Sequence, residues 1–373
     1  MTEYTKKVYL DYAASTPLCK ESREAMENVM QTVYANPSAV HALGRAANVC
    51  IEQARSTVAD CLHCGRENII FTSGATEAIN LTINNICADY SIKTLISSPL
   101  EHSAVIHTLQ HISKTKNIPL LNVEHDKYGN IDNEHLTNLL AENSASLVVL
   151  MHGNNETGQL TDIEAIGQMC RQYNALFFCD MVQTIGKYEL NLPQMNVDFA
   201  VGTAHKFYGP KGTGILYLSK KVSPLLLGGA QERNIRAGTE NIYGIVGTAA
   251  ALNAQMSNVN SQLQHIQHIK KYCIEKLLQN LPQIIFVGNC QNGGMEHIIN
   301  FYLPDTEMDI LSMQLDMAGI ALSSGSACSS GTERISHVIN ALNINSKTLR
   351  LSFGKQTSTD DIDFFIQNLI LFI

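Results

Sequence analysis

The stretch VDFAVGTAHKFYGPKGTGILYL, residues 197–218, decides how the rest of the chain is read. An apolar, strand-like run leads into Lys206, with Thr203, His205 and Gly209 around it. Glycines at 209, 212 and 214 let the backbone turn sharply and return as a second strand over 214–218. A lysine placed there can form a Schiff base with an aldehyde cofactor. The Thr203 hydroxyl and the His205 imidazole are donors of the kind that hold a phosphate beside it. A bare lysine after a strand is more often an exposed hairpin residue, so the reading depends on what other strands bring to the same place.

The chain has 373 residues, enough for two or three domain-sized units and a large core. It is 45% hydrophobic and 16% charged, the balance of a soluble globular protein. A formal charge of -8 leaves no basic footprint, which argues against nucleic acid as a direct ligand. No apolar run is long enough to span a bilayer. The opening MTEYTKKVYLDY lacks the apolar core of a signal peptide. Ten cysteines are scattered through mostly apolar segments, the pattern of reduced thiols in the cytoplasm rather than of a disulfide framework.

Working outward, KVYLDYAASTP (7–17) predicts a short strand and a turn, and ESREAMENVMQTVY a helix with Ala25, Met26, Val29, Met30 and Val33 at helical spacing. NPSAVHALGRAA (36–47) is a loop entering a second helix that runs to about Cys61, with Asn36 held extended before Pro37. NIIFTSGATEAINL is a strand over 69–72, a tight Ser73–Thr76 turn and a helix from Glu77. Free N–H groups and the helix dipole there make an anion site, at Ala75 and Thr76. Further strand-like runs end at Glu101-His102, at Asn154-Asn155 and at Asp180, with Gln183 just beyond. Five strands ending in polar residues, with helices alternating, predict an α/β protein with a large, doubly wound, mostly parallel sheet and its site at the strand C-terminal ends. A long helical stretch over 242–280, with a break, leads to a smaller α+β unit carrying Cys328 in SSGSACSS and Arg350 on a strand. The expected division is 16–250 for the large domain, with 1–15 and 251–373 forming the small one. His107 and His111, one helical turn apart, and the lone Cys61–Cys64 pair have too few companions for a metal site.

Pyridoxal 5'-phosphate needs a lysine, an aspartate for its ring nitrogen, donors for its phosphate, a stacking group, polar contacts at the ring hydroxyl and an arginine for a substrate carboxylate. Lys206, Asp180, the Ala75-Thr76 turn with Thr203 and His205, His102, Gln183 with Asn155, and Arg350 fill these roles. At this point the chain resembles the cysteine desulfurases of the NifS/IscS type, in the class V, fold type I aminotransferases. The resemblance rests on YLDYAASTP, NPSAVHALGRAA, FTSGATEAINL, EHSAV, HGNNETG, CDMVQTIGK, AHKFYGPKGTG, RAGTEN, SSGSACSS and LRLSFG, from Tyr9 to Gly354.

What the resemblance implies is specific. Lys206 carries the cofactor, Asp180 holds its ring nitrogen, His102 stacks on the ring and moves protons, and Gln183 and Asn155 contact the ring. Asn36, Asn155 and Arg350 serve the substrate. Thr239 reaches the phosphate of the other subunit, implying a homodimer. Cys328 takes sulfur from L-cysteine as a persulfide, releasing L-alanine, and passes it to an iron–sulfur scaffold or a tRNA-thiolating enzyme. Departures from the family pattern include Ala204 before the histidine, Met181-Val182 after the aspartate, Lys355-Gln356, and ERISHVI after the cysteine loop. A selenocysteine lyase, a cysteine sulfinate desulfinase, and an inactive sulfur-carrier or scaffold subunit are the alternatives. Longer family members continue past the final helix and dock the scaffold with that tail, so a chain ending at Ile373 is expected to bind such a scaffold more weakly.

Overall fold

Strand runs buried on both faces read as unbroken apolar sequence, and SLVVLM and FAVGT are of this kind. The computed structural model describes residues 7–324 and 335–373. In chain order its strands are β1 (Val8–Tyr9), β2 (Ile69–Thr72), β3 (Thr94–Ser97), β4 (Leu120–Asn122), β5 (Ser146–Met151), β6 (Leu176–Asp180), β7 (Phe199–Thr203), β8 (Gly214–Leu218), β9 (Ile285–Phe286), β10 (Ile298–Tyr302), β11 (Ile320–Ala321), β12 (Ser323–Ser324) and β13 (Leu349–Ser352). A seven-stranded sheet has the order β2-β8-β7-β6-β5-β3-β4. The pairs β7–β6, β6–β5, β5–β3 and β3–β4 are parallel, and β8 runs antiparallel to both β2 and β7. The C-terminal ends of β2, β3, β5, β6 and β7 therefore share one edge, which brings their trailing loops together.

Crossover helices Ala75–Asp89, Ser103–Lys116, Asn133–Glu142 and Ile163–Gln172 follow these strands. The first begins at Ala75, two residues ahead of the expected start at Glu77. Gly74, the residue before the first turn, packs so tightly against the start of β8 that a Cβ on Gly214 would lie 2.7 Å from the Gly74 Cα. This close approach sets the helix N-terminus against the hairpin that carries Lys206.

The helical stretch over 242–280 is two helices, Ile242–Met256 and Val259–Asn280, broken at Ser257 and Asn258. The first is apolar nearly all round because it is covered by helices Lys20–Thr32 and Ala42–Cys61. The second packs on the helix Thr359–Phe372. On that final helix Ile362, Phe365, Ile366 and Leu369, at helical spacing, are buried, whereas Ile370 faces outward.

A smaller antiparallel sheet has the order β12-β13-β10-β9, and β1 pairs in parallel with β11. Val8 and Leu10 join its core with Ile269, Phe301, Leu351 and Phe365. The nine described cysteines form no disulfide. Among the described residues no helix is long and apolar enough to cross a membrane, and no cluster of three or more metal-binding side chains occurs.

Candidate active site

A cavity of about 550 Å³ opens at the shared strand edge, and Lys206, Asp180, His102 and Thr76 are among the residues that line it. Lys206 stands in a short 3-10 turn directly after β7. Its Nζ donates to the carbonyls of Ala13 and Ala14 at 2.7 and 2.8 Å. The segment after β1 is laced to the same turn: Thr16 N donates to the His205 carbonyl at 2.9 Å, and Ser15 Oγ lies 3.3 Å from His205 Nδ1. This explains why YLDYAASTP belongs to the site although it carries no reactive side chain.

Asp180 ends β6 with its carboxylate buried, accepting from Val182 N at 2.9 Å. Burial pushes its carboxyl above the usual carboxylate range, and the positive influence of His102 and Lys206 pulls it back. His102 caps the helix Ser103–Lys116, its Nδ1 accepting from Ala104 N at 3.1 Å. That bond fixes the orientation of the ring. Burial, with repulsion from Lys206, Lys211 and Lys187, lowers His205 to about 4, so this ring is neutral at neutral pH.

The first turn of the helix Ala75–Asp89 faces the cavity, and no side chain caps it. Ala75 and Thr76 line this end, and the Thr203 hydroxyl beside them donates to the Thr213 carbonyl at 3.0 Å. Gln183 is buried, its Nε2 donating to the Ala13 carbonyl at 2.9 Å. Asn155 lines the cavity and offers its carbonyl to Arg350 Nη1 at 2.8 Å. Arg350 also pairs with Asp11 at 2.8 Å, while its buried Nε has no acceptor among the described residues.

Two candidate residues are not brought into this cavity, and a third is not among the described residues. Asn36 is exposed on its loop, where its Oδ1 accepts from Ser38 N. Thr239 is exposed and outside the cavity of its own chain. Cys328 lies outside the described residues.

Two further cavity residues, Glu101 and His337, receive no role from the sequence. Glu101 is fully buried, with Oε1 accepting from Met151 N at 2.8 Å and Oε2 unpartnered. Burial raises its carboxyl well above the usual range. His337, at the start of helix His337–Ala341, places Nε2 2.9 Å from the Glu101 carbonyl. A glutamate beside a histidine at a strand end reads as solvent-facing, and only the packed sheet shows otherwise.

The profile of the aminotransferase class-V family matches residues 8–365. The cysteine desulfurase IscS of Dictyoglomus turgidum (strain DSM 6724 / Z-1310) is 34% identical over 372 residues, 98% of this chain and 94% of that protein. A solved NifS-like protein superposes with a TM-score of 0.91 at 29% identity, covering 98% of this chain and 99% of that one. SspA in complex with cysteine superposes at 0.80 with 28% identity, covering 95% of this chain and 100% of that one. The architecture is thus that of the fold type I enzymes. The chain belongs to the class-V aminotransferases and, within them, to the cysteine desulfurases of the NifS/IscS type.

Proposed function

We propose that this protein uses pyridoxal 5'-phosphate to convert L-cysteine to L-alanine, taking the sulfur as a persulfide on Cys328. The observation that carries the reading is the convergence of Lys206, buried Asp180 and capped His102 on one cavity beside an uncapped helix N-terminus. The cavity suits the cofactor. Asp180 is a buried carboxyl that a cationic ring nitrogen would complement. The open amides at Ala75 and Thr76, joined by Thr203 and His205, suit a phosphate.

Lys206 would hold the cofactor, Asp180 its ring nitrogen, His102 its face, and Gln183 and Asn155 its polar edge. When bound, the cofactor supplies an electron sink that makes the substrate Cα–H acidic. Arg350, with its buried Nε unpartnered among the described residues, takes the substrate carboxylate. The Lys206 amine moves the proton at Cα, and His102 Nε2 faces the same space for a second transfer. The Cys328 thiolate attacks the substrate sulfur: an S–S bond forms as the Cβ–S bond breaks, the electron pair left on the carbon side takes a proton at Cβ, and L-alanine leaves.

The working unit is a homodimer in which Thr239 serves the partner's site, a role supported by its exposure away from its own cavity. Asn36, exposed on its loop, is assigned to the substrate from the family resemblance. The persulfide passes to an acceptor protein in the cytoplasm, an iron–sulfur scaffold or a tRNA-thiolating enzyme. The test is spectroscopic and kinetic. The purified protein should show a visible band that borohydride abolishes, and Lys206→Ala should lose turnover with the fold intact. Full turnover in Lys206→Ala overturns the assignment.

A further inference from the structure

Lys187, at the end of CDMVQTIGK, is a half-buried lysine for which the reaction above has no use. Its acceptors are both on Gln183, the carbonyl at 3.1 Å and Oε1 at 3.5 Å, and neither is charged. Gln183 is also the link to Lys206: the Ala13 carbonyl accepts from Gln183 Nε2 at 2.9 Å and from Lys206 Nζ at 2.7 Å. On the far side Lys187 lines a small cavity of about 30 Å³ with Tyr12, Tyr188, Tyr208, Gln255 and Glu296. His297 also lines it, with Nε2 3.4 Å from Gln183 Oε1.

The groups facing this lysine leave few charges in play. His205 is lowered to about 4, and burial holds His297 well below its ordinary value, so both rings are neutral. Burial raises the tyrosines at 12, 188 and 208, keeping them un-ionised. Glu296 lies 3.9 Å from Lys270. Asp180 stands on the Lys206 side. The principal charge acting on Lys187 is that of Lys206, and burial with this repulsion brings Lys187 down to about 7.

We propose that Lys187 is a positioning residue that shares a single positive charge with Lys206 across the Gln183–Ala13 bridge. While Lys206 is an ammonium, Lys187 sheds its proton near neutrality. When Lys206 is uncharged, the repulsion is lifted and Lys187 takes up a proton. The resulting ammonium then disfavours charge on a returning Lys206 amine, which keeps that amine available as a base. Its role rests on Lys206 being the cofactor lysine, but the coupling does not.

The deciding measurement is a pH titration of the apoprotein by NMR, with 13C at the lysine ε-carbons and the Lys187 signal assigned by its loss in Lys187→Met. In Lys206→Met the Lys187 midpoint should rise above its wild-type value by on the order of one pH unit. An unchanged midpoint overturns the proposal, because a merely structural lysine would not respond. If Lys187→Met fails to fold, Lys187→Gln supplies the assignment. Full turnover in Lys206→Ala would instead sink the assignment of Lys206, and the apoprotein titration would still decide the coupling.

Discussion

Arg350 and Asp11, 339 positions apart in the chain, are joined by an ion pair of 2.8 Å. Asp11 follows β1, and Arg350 lies on β13, so the pair ties the first segment of the cavity wall to the small sheet. With Nη1 on the Asn155 carbonyl, the guanidinium is held from two sides while Nε keeps no acceptor among the described residues. A buried donor left unpaired is costly, and a substrate carboxylate would relieve it. Arg350→Lys keeps a charge but loses the planar fork. Steady-state kinetics on L-cysteine should show kcat/KM falling by about 30-fold, corresponding to about 2 kcal/mol, mainly through KM. An unchanged KM would remove Arg350 from substrate binding.

Asp180→Asn separates stability from function. Because burial raises the Asp180 carboxyl in the folded protein, the folded state binds this proton more tightly than the unfolded one. Its favourable contribution is present at low pH and lost as pH rises through the folded value. The apo variant should therefore melt at or above wild type at pH 7, with the gap narrowing in acid. Turnover should fall by on the order of 10²-fold or more. Loss of stability at pH 7 with activity retained would contradict the role given to this carboxylate.

Arg55 and Glu232 form a buried bidentate pair at 2.7 and 2.9 Å. Glu232 Oε2 also accepts from Phe71 N at 2.8 Å, at the strand before the helix Ala75–Asp89. The pair anchors three successive left-handed residues, Glu232, Arg233 and Asn234, with φ of 45°, 57° and 62°. Arg236 continues this loop to Glu77 in the first turn of the same helix, at 2.8 Å. Arg55→Met leaves a buried carboxylate unpaired and should cost about 3–5 kcal/mol in urea unfolding. Arg55→Met/Glu232→Leu should recover part of that loss. A single variant as stable as wild type would show that the pair does not anchor the loop.

His152 is buried, has no partner for Nδ1, and is lowered by burial to about 4. The unfolded chain takes up a proton near 6.5 and the folded one near 4, so stability is lost as pH falls through that window. The neutral ring thus accounts for on the order of 3 kcal/mol of acid sensitivity. His152→Leu should flatten the acid limb of a plot of apo stability against pH between those values. An acid limb of unchanged slope would show that His152 titrates normally.

Much of this site was legible because parallel strands are apolar runs that end in polar residues. Lys206, Asp180 and His102 sit at the ends of such runs, and the sheet gathers them. The three-residue edge strand Leu120–Asn122 left no comparable pattern, being short and only half-buried. The acceptors of Lys206 are the backbone carbonyls of two alanines, which no side-chain pattern reveals. The burial of Glu101 left no sequence signal, because burial of a glutamate is set by tertiary packing and not by its neighbours in sequence. Arg55–Glu232 spans 177 positions, beyond the reach of local periodicity.

The most direct test of the account is to incubate the holoprotein with L-cysteine, assay alanine, and map persulfide by mass spectrometry in wild type and Cys328→Ala. Wild type should release alanine and carry the added sulfur on Cys328. Cys328→Ala should still respond spectroscopically to L-cysteine but form neither persulfide nor alanine. Alanine release without Cys328, or persulfide mapped to another cysteine, would contradict it.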